Sequence, residues 1–259
     1  MARLSREVSP TGYYHIMMRG INKEMIFKNN FDKKNFLSLI ETKFEEDVLI
    51  VAFCIMDNHV HIILKGELDD ISLSLRRINT SFAMRINRSL DRVGHVFQDR
   101  YKSEIIHNEA HLLCATRYVH NNPVKAGIIK SPQQYDWSSY SHFLQGKSNL
   151  LDSGEIERIM KSIGSNKQFQ DFHKLEDEIR FIDTKEELDR LEYSRAQRII
   201  HDYHKNKVEI DSQSIRRNSD EMDQLIGMLL ENTNLSIRKV SELLEVSKST
   251  VHRLSRGGI

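Results

Sequence analysis

Apolar and polar positions follow one another along the first 150 residues in a way that predicts a mixed sheet-and-helix domain. Apolar runs bounded by turn formers predict strands over residues 13–19, 48–56, 59–66 and 100–108. Apolar residues at helical spacing predict helices over residues 31–46, 69–90 and 109–122, the last stopped by Pro123. The order β-α-β-β-α-β-α is typical of an α+β domain, a ferredoxin-like antiparallel sheet with helices on one face.

The composition of the chain changes near residue 150, and this change predicts the domain organisation. Residues 150–217 are strongly charged, with few glycines and no proline, which indicates an all-α connector. The pattern of residues 218–259 predicts a short unit made only of helices. We therefore predict three domains, over residues 1–149, 150–217 and 218–259.

Two short amphipathic helices near the C-terminus have helix-turn-helix spacing. Ser236 is expected to cap a helix from Ile237 to Leu244, and Ser247 is expected to cap the next one. Glu245 stands in the turn, where a non-glycine residue with positive φ costs about 1 kcal/mol. A helix packing or dimerisation module is the alternative interpretation. The side chains that could meet the major groove of duplex DNA are Lys248, Thr250, His252 and Arg253.

The composition is that of a soluble protein with a hydrophobic core. The 259 residues are 39% hydrophobic and 29% charged. No apolar stretch approaches the roughly 20 residues that a membrane span needs, and the N-terminus does not resemble a secretion signal. Cys54 and Cys114 lie in apolar surroundings without CxxC spacing, which favours reduced thiols and a cytoplasmic location. The net charge of +1 is uneven, because residues 1–150 carry 20 Lys/Arg against 16 Asp/Glu.

Residues 56–64, MDNHVHIIL, place two histidines on one predicted strand. Because successive side chains of a strand point to opposite faces, His59 and His61 project together, about 6–7 Å apart. Two imidazoles at this spacing can bind one divalent metal ion. The alternative is two unrelated histidines, each satisfied by its own hydrogen bond. Asp57 and Asn58 are good turn formers and predict a tight connection to the preceding strand.

A second group of polar side chains lies in the segment RYVHNNPVKAG, residues 117–127. On a helix Tyr118 and Asn122 are four residues apart, so they share a face and could approach a metal ion held by the histidine strand. A free phenol is a weak nucleophile at neutral pH because its pKa is about 10. A metal ion that polarises a phosphate, with basic residues nearby, makes its attack feasible. The alternatives are a packing tyrosine and, for Asn122, a helix cap before proline.

Five segments occur in a characteristic order: YYHIMMRGINKEMIF, AFCIMDNHVHIIL, GHVFQDRYKSEII, RYVHNNPVKAG and YDWSSY. With these segments the chain resembles, over residues 8–145, the REP-associated tyrosine transposases, relatives of the IS200-like single-tyrosine HUH transposases. The resemblance implies that His59, His61 and Asn122 bind Mg²⁺ or Mn²⁺ and that Tyr118 is the catalytic nucleophile. It implies cleavage and rejoining of single-stranded DNA at hairpin-type repeat ends, through a 5′-phosphotyrosine intermediate. The expected location is the bacterial cytoplasm, in association with the nucleoid.

Basic residues of the second long helix could follow a DNA backbone. Arg77, Arg85 and Arg88 lie near one another on this helix, away from its apolar side. Such a row of basic residues binds single-stranded DNA more tightly when aromatic residues also stack on the bases. The alternative is an ordinary solvated face. The resemblance implies that Arg100 and Tyr101 contact DNA or support the sheet. Tyr101 is the main rival nucleophile, but we expect it to open a strand rather than face the site.

We therefore expect an enzyme, a metal-dependent transposase that cleaves and joins single-stranded DNA. The alternative is a domesticated or inactive relative that serves as a sequence-specific DNA-binding regulator. A purely structural metal-binding protein would leave Tyr118 unexplained. The expected partners are hairpin-containing single-stranded DNA and, through the C-terminal unit, duplex DNA, with no membrane. A monomer is favoured over a homodimer.

Overall fold

The structure, a computed structural model, describes residues 6–44, 46–175, 181–183, 185–205 and 219–256. It divides the chain into two compact units, Met1–Asp183 and Thr184–Ile259. The first unit contains the predicted sheet, and the second is helical in its described part. This division falls inside the predicted connector. The three-part organisation, with boundaries at residues 149/150 and 217/218, stays a prediction.

Four antiparallel strands form the sheet of the first unit: β1 (Tyr13–Arg19), β2 (Leu49–Ile55), β3 (His59–Lys65) and β4 (Lys102–Ile105). Their spatial order is β2-β3-β1-β4, which is the order of a ferredoxin-like fold. The three long strands consist of nearly continuous apolar runs because they are buried along almost their whole length. The predicted α+β fold class is therefore confirmed, although the edge strand β4 is shorter than the predicted range.

Six α-helices complete the described part of the first unit. They are α1 (Asn30–Lys43), α2 (Leu68–Ser89), α3 (Glu109–Lys125), α4 (Tyr140–Gln145), α5 (Ser153–Ile163) and α6 (Asn166–Phe172). Helices α1 and α2 pack against each other around Phe27, Phe36 and Phe82, whose ring centroids are 5.1 to 5.3 Å apart. Helix α3 packs against β2 and β3. Among the described residues, no helix has the length and apolar character needed to cross a lipid bilayer.

Helix α3 does not stop at Pro123, as the sequence predicted, but continues to Lys125. Proline lacks a backbone N–H, so it removes the helical hydrogen bond from position 123 to the carbonyl of Val119. The loss is confined to the last turn, because Ala126 still donates its N–H to the carbonyl of Asn122. Pro123 is also buried, and its packing helps to offset the missing hydrogen bond. The proline therefore leaves the helix intact beyond the predicted end.

Helix α5, which lies in the predicted connector, is anchored to the sheet by a buried carboxylate. Glu155 is 4% exposed and accepts hydrogen bonds from the Tyr13 hydroxyl (2.8 Å) and from Lys65 Nζ (2.7 Å). A buried charge is costly unless it is paired, and Lys65 supplies the opposite charge. Phe169 of α6 stacks on Phe143 of α4, with ring centroids 5.5 Å apart. The first part of the connector is thus packed onto the α+β domain.

The described part of the second unit contains four helices, α7 (Lys185–Lys205), α8 (Ser219–Asn232), α9 (Ile237–Leu244) and α10 (Lys248–Arg256). They share a small core formed by Ala196, Leu225, Ile226, Leu229, Val240 and Val251. Helices α9 and α10 confirm the predicted helix-turn-helix. Ser236 caps α9 by accepting from the N–H of Lys239 (3.3 Å). Ser247 caps α10 by accepting from the N–H of Thr250 (3.1 Å). Glu245, in the turn, has the expected positive φ of 56°.

Candidate metal and nucleophile site

Strand β3 carries two buried histidines whose rings lie close together on one face of the sheet. The ring centroids of His59 and His61 are 5.0 Å apart, as their alternation on the strand predicted. Nδ1 of His59 lies 2.7 Å from the side-chain oxygen of Asn58, an atom that can only accept a hydrogen bond. In the neutral ring Nδ1 therefore carries the proton and Nε2 presents its lone pair. This lone pair faces the side-chain oxygen of Asn122, 3.4 Å away.

A histidine of β1 and a carboxylate of β4 orient His61 in the same way. Oε2 of Glu104 lies 3.4 Å from Nδ1 of His15, and Nε2 of His15 lies 3.0 Å from Nδ1 of His61. Because the carboxylate accepts, neutral His15 carries its proton on Nδ1 and accepts from His61. Nε2 of His61 then presents a lone pair. Burial by itself raises the pKa of Glu104, but hydrogen bonds from His15 and from the Ile182 N–H lower it, which favours the charged carboxylate.

Asp183 joins the two histidines in a cluster of candidate metal ligands. The ligand atoms of His59, His61 and Asp183 all lie within 4.8 Å of one another, and Oδ1 of Asp183 is 3.7 Å from Nε2 of His61. Acceptor atoms of two imidazoles and a carboxylate thus lie close together, with the Asn122 oxygen beside His59, an arrangement that a cation stabilises. Imidazole nitrogens and carboxylate or carbonyl oxygens are ligands suited to Mn²⁺, and the oxygens also suit Mg²⁺. The residues present are therefore chemically compatible with the metal ion that the sequence predicted.

The predicted nucleophile, Tyr118, lies beside this cluster. Its hydroxyl donates a hydrogen bond to Oδ2 of Asp183, and its ring centroid is 5.6 Å from that of His61. Tyr118 and Asn122 share a face of α3, and the Asn122 side-chain amide donates to the Tyr118 carbonyl (3.4 Å). Nζ of Lys125 lies 4.0 Å from the centroid of the Tyr118 ring, which is a cation–π contact. The helix thus brings the phenol and the amide to the histidine strand, as their spacing predicted.

Residues 181–183 cover this site, and sequence reasoning did not anticipate them. The ring centroid of Phe181 is 4.9 Å from that of Tyr118 and 5.8 Å from that of His15. The Ile182 N–H donates to Oε2 of Glu104 (3.1 Å), which holds the segment against β4. Its sequence signal is an apolar pair, Phe181 and Ile182, directly before an acidic residue in an otherwise highly charged stretch. His15 and Glu104 were also missed, because each lies on a different strand from the histidine pair.

Three of the arginines predicted to contact DNA lie together on α2. Arg77, Arg85 and Arg88 are all exposed, as contact with DNA requires. The guanidinium carbon of Arg85 lies 5.3 Å from the centroid of the Phe31 ring, an exposed aromatic side chain on which a base could stack. The surface thus combines positive charge with an aromatic ring, as expected for a surface that binds single-stranded DNA. Its contact with DNA stays a prediction.

The fourth predicted arginine, Arg100, lies in a different place. It lines a groove of about 890 Å³ formed by α2 and the loop before β4, and Arg76 and Arg6 line the same groove. Tyr101, the rival nucleophile, also lines this groove, and its hydroxyl is 2.6 Å from Oγ of Ser72 in α2. Tyr101 therefore faces α2 rather than the histidine pair, as expected.

The four residues of α10 predicted to meet duplex DNA differ in their surroundings. Lys248 and His252 are exposed and line a shallow pocket on the surface of the helix-turn-helix. The hydroxyl of Thr250 lies 2.8 Å from the hydroxyl of the N-cap serine. Arg253 forms an ion pair with Asp223 of α8 (3.0 Å), although its side chain is 68% exposed. Lys248 and His252 are thus the more available pair, and DNA contact by all four stays a prediction.

Comparison with known proteins shows which family the first unit is similar to. Residues 9–122 match the model of a family described as Transposase IS200 like. The matched residues include all four strands, both histidines of β3, and Tyr118 and Asn122 of α3. The resemblance inferred from the sequence is therefore confirmed for this part of the chain.

Two individual proteins are also similar. One, from Haemophilus influenzae, is named as a REP-associated tyrosine transposase and is 25% identical over 101 residues, which cover 35% of this chain and 57% of the relative. The chain thus spans little more than half the length of this relative. A solved structure of a REP-associated tyrosine transposase bound to a REP hairpin has a TM-score of 0.47 and 17% identity, and the match covers 59% of this chain and 94% of that one.

Proposed function

We propose that this chain, whose residues 9–122 match the model of the IS200-like transposase family, cleaves and rejoins single-stranded DNA with Tyr118 as its nucleophile. One observation carries the proposal: the Tyr118 hydroxyl lies against a cluster of candidate metal-ligating atoms from His59, His61 and Asp183. A tyrosine that only fills the core would not require candidate metal ligands around its hydroxyl. A purely structural metal site would in turn have no use for a phenol at its edge.

His59, His61 and Asn122 would hold the divalent ion, Mg²⁺ or Mn²⁺, at the point where the two imidazoles come together and the Asn122 oxygen lies 3.4 Å from His59. When bound, the ion supplies positive charge to a non-bridging phosphate oxygen. Asn58 and His15 keep the two imidazoles oriented with Nε2 towards this point. Outer hydrogen bonds of this kind contribute about 10–100-fold to metal affinity.

Tyr118 would attack the phosphorus of the scissile phosphodiester. The bond from Oη to phosphorus forms as the bond to the 3′ oxygen breaks, which leaves a 5′-phosphotyrosine and a free 3′-hydroxyl. Lys125, with Nζ 4.0 Å from the ring centroid, would stabilise the phenolate. Because the phosphotyrosine retains the energy of the broken bond, a second 3′-hydroxyl can reverse the step on another strand. No nucleoside triphosphate is required.

The proposed substrates are hairpin-type repeat ends in single-stranded DNA. The support is the resemblance to REP-associated transposases, together with the exposed arginines of α2 and the groove that contains Arg76 and Arg100. Arginine contacts to phosphate position a strand without reading its sequence, so they suit a folded DNA end of any composition. We expect the protein to act as a monomer, in the bacterial cytoplasm at the nucleoid.

A covalent-capture experiment tests this function. The full chain is incubated with a 3′-labelled single-stranded hairpin DNA and Mn²⁺, and the products are separated under denaturing conditions. We expect labelled protein for the wild type and for Tyr193→Phe, an exposed tyrosine of α7, but none for Tyr118→Phe. Label retained by Tyr118→Phe, or absent from the wild type with both Mn²⁺ and Mg²⁺, would contradict the proposal.

The helix-turn-helix of the second unit supports a second candidate function, that of a sequence-specific DNA-binding regulator. Lys248 and His252 are exposed on α10, the helix that would enter the major groove. Binding of duplex DNA without any covalent product, under either metal ion, would favour the regulator. Covalent capture that depends on Tyr118 would favour the transposase, whether or not the protein mobilises an element of its own.

A further inference from the structure

We infer that Asp183 is a catalytic residue of this site, which binds the divalent ion through Oδ1 and accepts the proton of Tyr118 through Oδ2. This inference rests on the proposed function and extends it. Asp183 lies outside residues 9–122, the part of the chain that matches the transposase family. The carboxylate thus comes from the predicted connector, outside the residues matched by the family model.

The two carboxylate oxygens of Asp183 face different partners. Oδ1 lies 3.7 Å from Nε2 of His61, and Oδ2 accepts a hydrogen bond from the Tyr118 hydroxyl. The ligand atoms of Asp183, His59 and His61 lie within 4.8 Å of one another, so the carboxylate is part of the cluster rather than its neighbour. One side chain therefore connects the candidate ligands to the nucleophile.

The charge of the site also favours a carboxylate ligand. Two neutral imidazoles and the Asn122 amide carry no negative charge, whereas Asp183 contributes one towards the two positive charges of the ion. Asp183 is 3% exposed, and a buried carboxylate is costly unless positive charge offsets its lost hydration. A divalent ion at this position would offset that cost directly.

The position of Asp183 is fixed by its neighbours in the chain. Phe181 packs on the Tyr118 ring, with centroids 4.9 Å apart, and the Ile182 N–H donates to Glu104 (3.1 Å). Glu104 is the same carboxylate that orients His15. The segment that delivers Asp183 is therefore tied to the hydrogen bonds that orient the histidines, as expected for a residue held in place for chemistry.

In the cleavage step Asp183 would act as the general base. As the bond from Tyr118 Oη to phosphorus forms, the phenolic proton moves to Oδ2 of Asp183, and the electron pair of the breaking bond stays on the 3′ oxygen. The proton then passes from Asp183 to this oxygen, which leaves as a 3′-hydroxyl. Atoms and charge balance without a further reactant, and rejoining uses the same transfers in reverse.

Direct titration of the full chain with MnCl₂ tests the ligand role without any DNA. We expect Asp183→Asn, a variant of the same shape, to weaken Mn²⁺ binding by about tenfold or more, the lower bound for loss of a residue that orients a ligand. Asp171→Asn is the matched control, because Asp171 is an exposed acidic residue of α6 paired with Lys174. Unchanged Mn²⁺ affinity in a folded Asp183→Asn protein would overturn the ligand role.

A single-turnover measurement tests the proton-acceptor role. At Mn²⁺ concentrations that saturate each protein, we expect Asp183→Asn to form the covalent DNA product at least 100-fold more slowly, the lower range for loss of a general base. We expect Asp183→Glu, which keeps a carboxylate, to recover part of that rate. Equal rates for the wild type and Asp183→Asn would overturn this role. If Asp183→Asn fails to fold, the Mn²⁺ affinity of Asp183→Glu tests the ligand role instead. A carboxylate that binds the ion must change this affinity when its side chain is lengthened, whereas a carboxylate that does not bind the ion must leave it unchanged.

The two measurements distinguish this inference from the proposed function. If the wild type forms no covalent product but loses Mn²⁺ affinity on the Asp183→Asn change, the ligand role stands and the transposase function fails. If the wild type is captured on DNA and Asp183→Asn behaves identically in both assays, the function stands and the role of Asp183 fails.

Discussion

Nε2 of His15 lies 3.0 Å from Nδ1 of His61, so a residue of β1 determines which nitrogen of a β3 histidine faces the candidate metal site. His15 is oriented in turn by Glu104, on β4. Three strands therefore cooperate to position one predicted ligand. The sheet order makes this possible, because β1 lies between β3 and β4.

Removing the acceptor on His15 should weaken metal binding. In His15→Leu the Nδ1 proton of His61 loses its partner, so the orientation that presents Nε2 is no longer favoured. We expect Mn²⁺ affinity, measured by isothermal titration calorimetry, to fall about 10–100-fold. His15→Gln keeps an acceptor and should retain most of the affinity. Equal losses in both variants would mean that His15 contributes packing rather than orientation.

Metal binding should stabilise the folded protein, and the two histidines of β3 should be required for this effect. A ligand that binds only the folded state adds about 2.7 kcal/mol to the free energy of unfolding at 100 times its Kd. We expect Mn²⁺ to raise the thermal midpoint of the wild type, EDTA to reverse the rise, and His59→Ala and His61→Ala each to abolish it.

The same two variants separate catalysis from DNA binding. Since neither histidine lies in the groove or on the exposed arginine surface, His59→Ala and His61→Ala should lose cleavage while hairpin binding, measured by gel shift, stays largely intact. Normal cleavage by either variant would show that the metal assignment is wrong.

Much of this site was predictable because its signals are local in the chain. The β2–β3 connection follows from two apolar runs joined by Asp57 and Asn58. The shared face of Tyr118 and Asn122 follows from the helical period alone. The φ of Glu245 follows from the length of a helix-turn-helix turn. In each case the residues that decide the geometry lie within a few positions of one another.

The remaining parts depend on contacts between distant segments. His15 could be found only from the register of β1 on β3, in which Met17 pairs with His61 and His15 becomes its diagonal neighbour. The position of Asp183 depends on how a charged segment packs back on the sheet, and no periodicity encodes that. The predicted end of α3 at Pro123 was wrong for the same reason, because burial of the helix outweighs the local helix-breaking tendency of proline.

The groove beside α2 should contribute to DNA affinity through its charge. Log affinity falls as log salt concentration rises, and each phosphate contact that is lost makes this slope less steep by about 0.7 for a single strand. We expect Arg100→Ala and Arg76→Ala each to weaken binding of a single-stranded hairpin, and each to reduce this slope, with little dependence on sequence. Fluorescence anisotropy over a range of NaCl concentrations measures both quantities.

Lys174→Ala provides the control for these arginine variants. Lys174 is 74% exposed and lies in an ion pair with Asp171, away from the residues that line the groove. The Lys174→Ala change removes one positive charge, as the arginine variants do, and should leave the salt dependence of DNA binding unchanged. A slope reduced equally by all three changes would indicate that net charge matters and that the groove does not.

Glu245→Gly should stabilise the second unit. Glu245 has φ 56° and ψ 36° at the end of α9, a conformation that costs a non-glycine residue about 1–2 kcal/mol. Glycine adopts it without strain but loses more backbone entropy on folding, about 0.4–1 kcal/mol, so a net gain of about 0.5–1 kcal/mol remains. Glu242→Gly, inside the same helix, should instead cost about 1 kcal/mol. Urea denaturation followed through the helical signal measures both, and destabilisation by both changes would contradict the strain assigned to the turn.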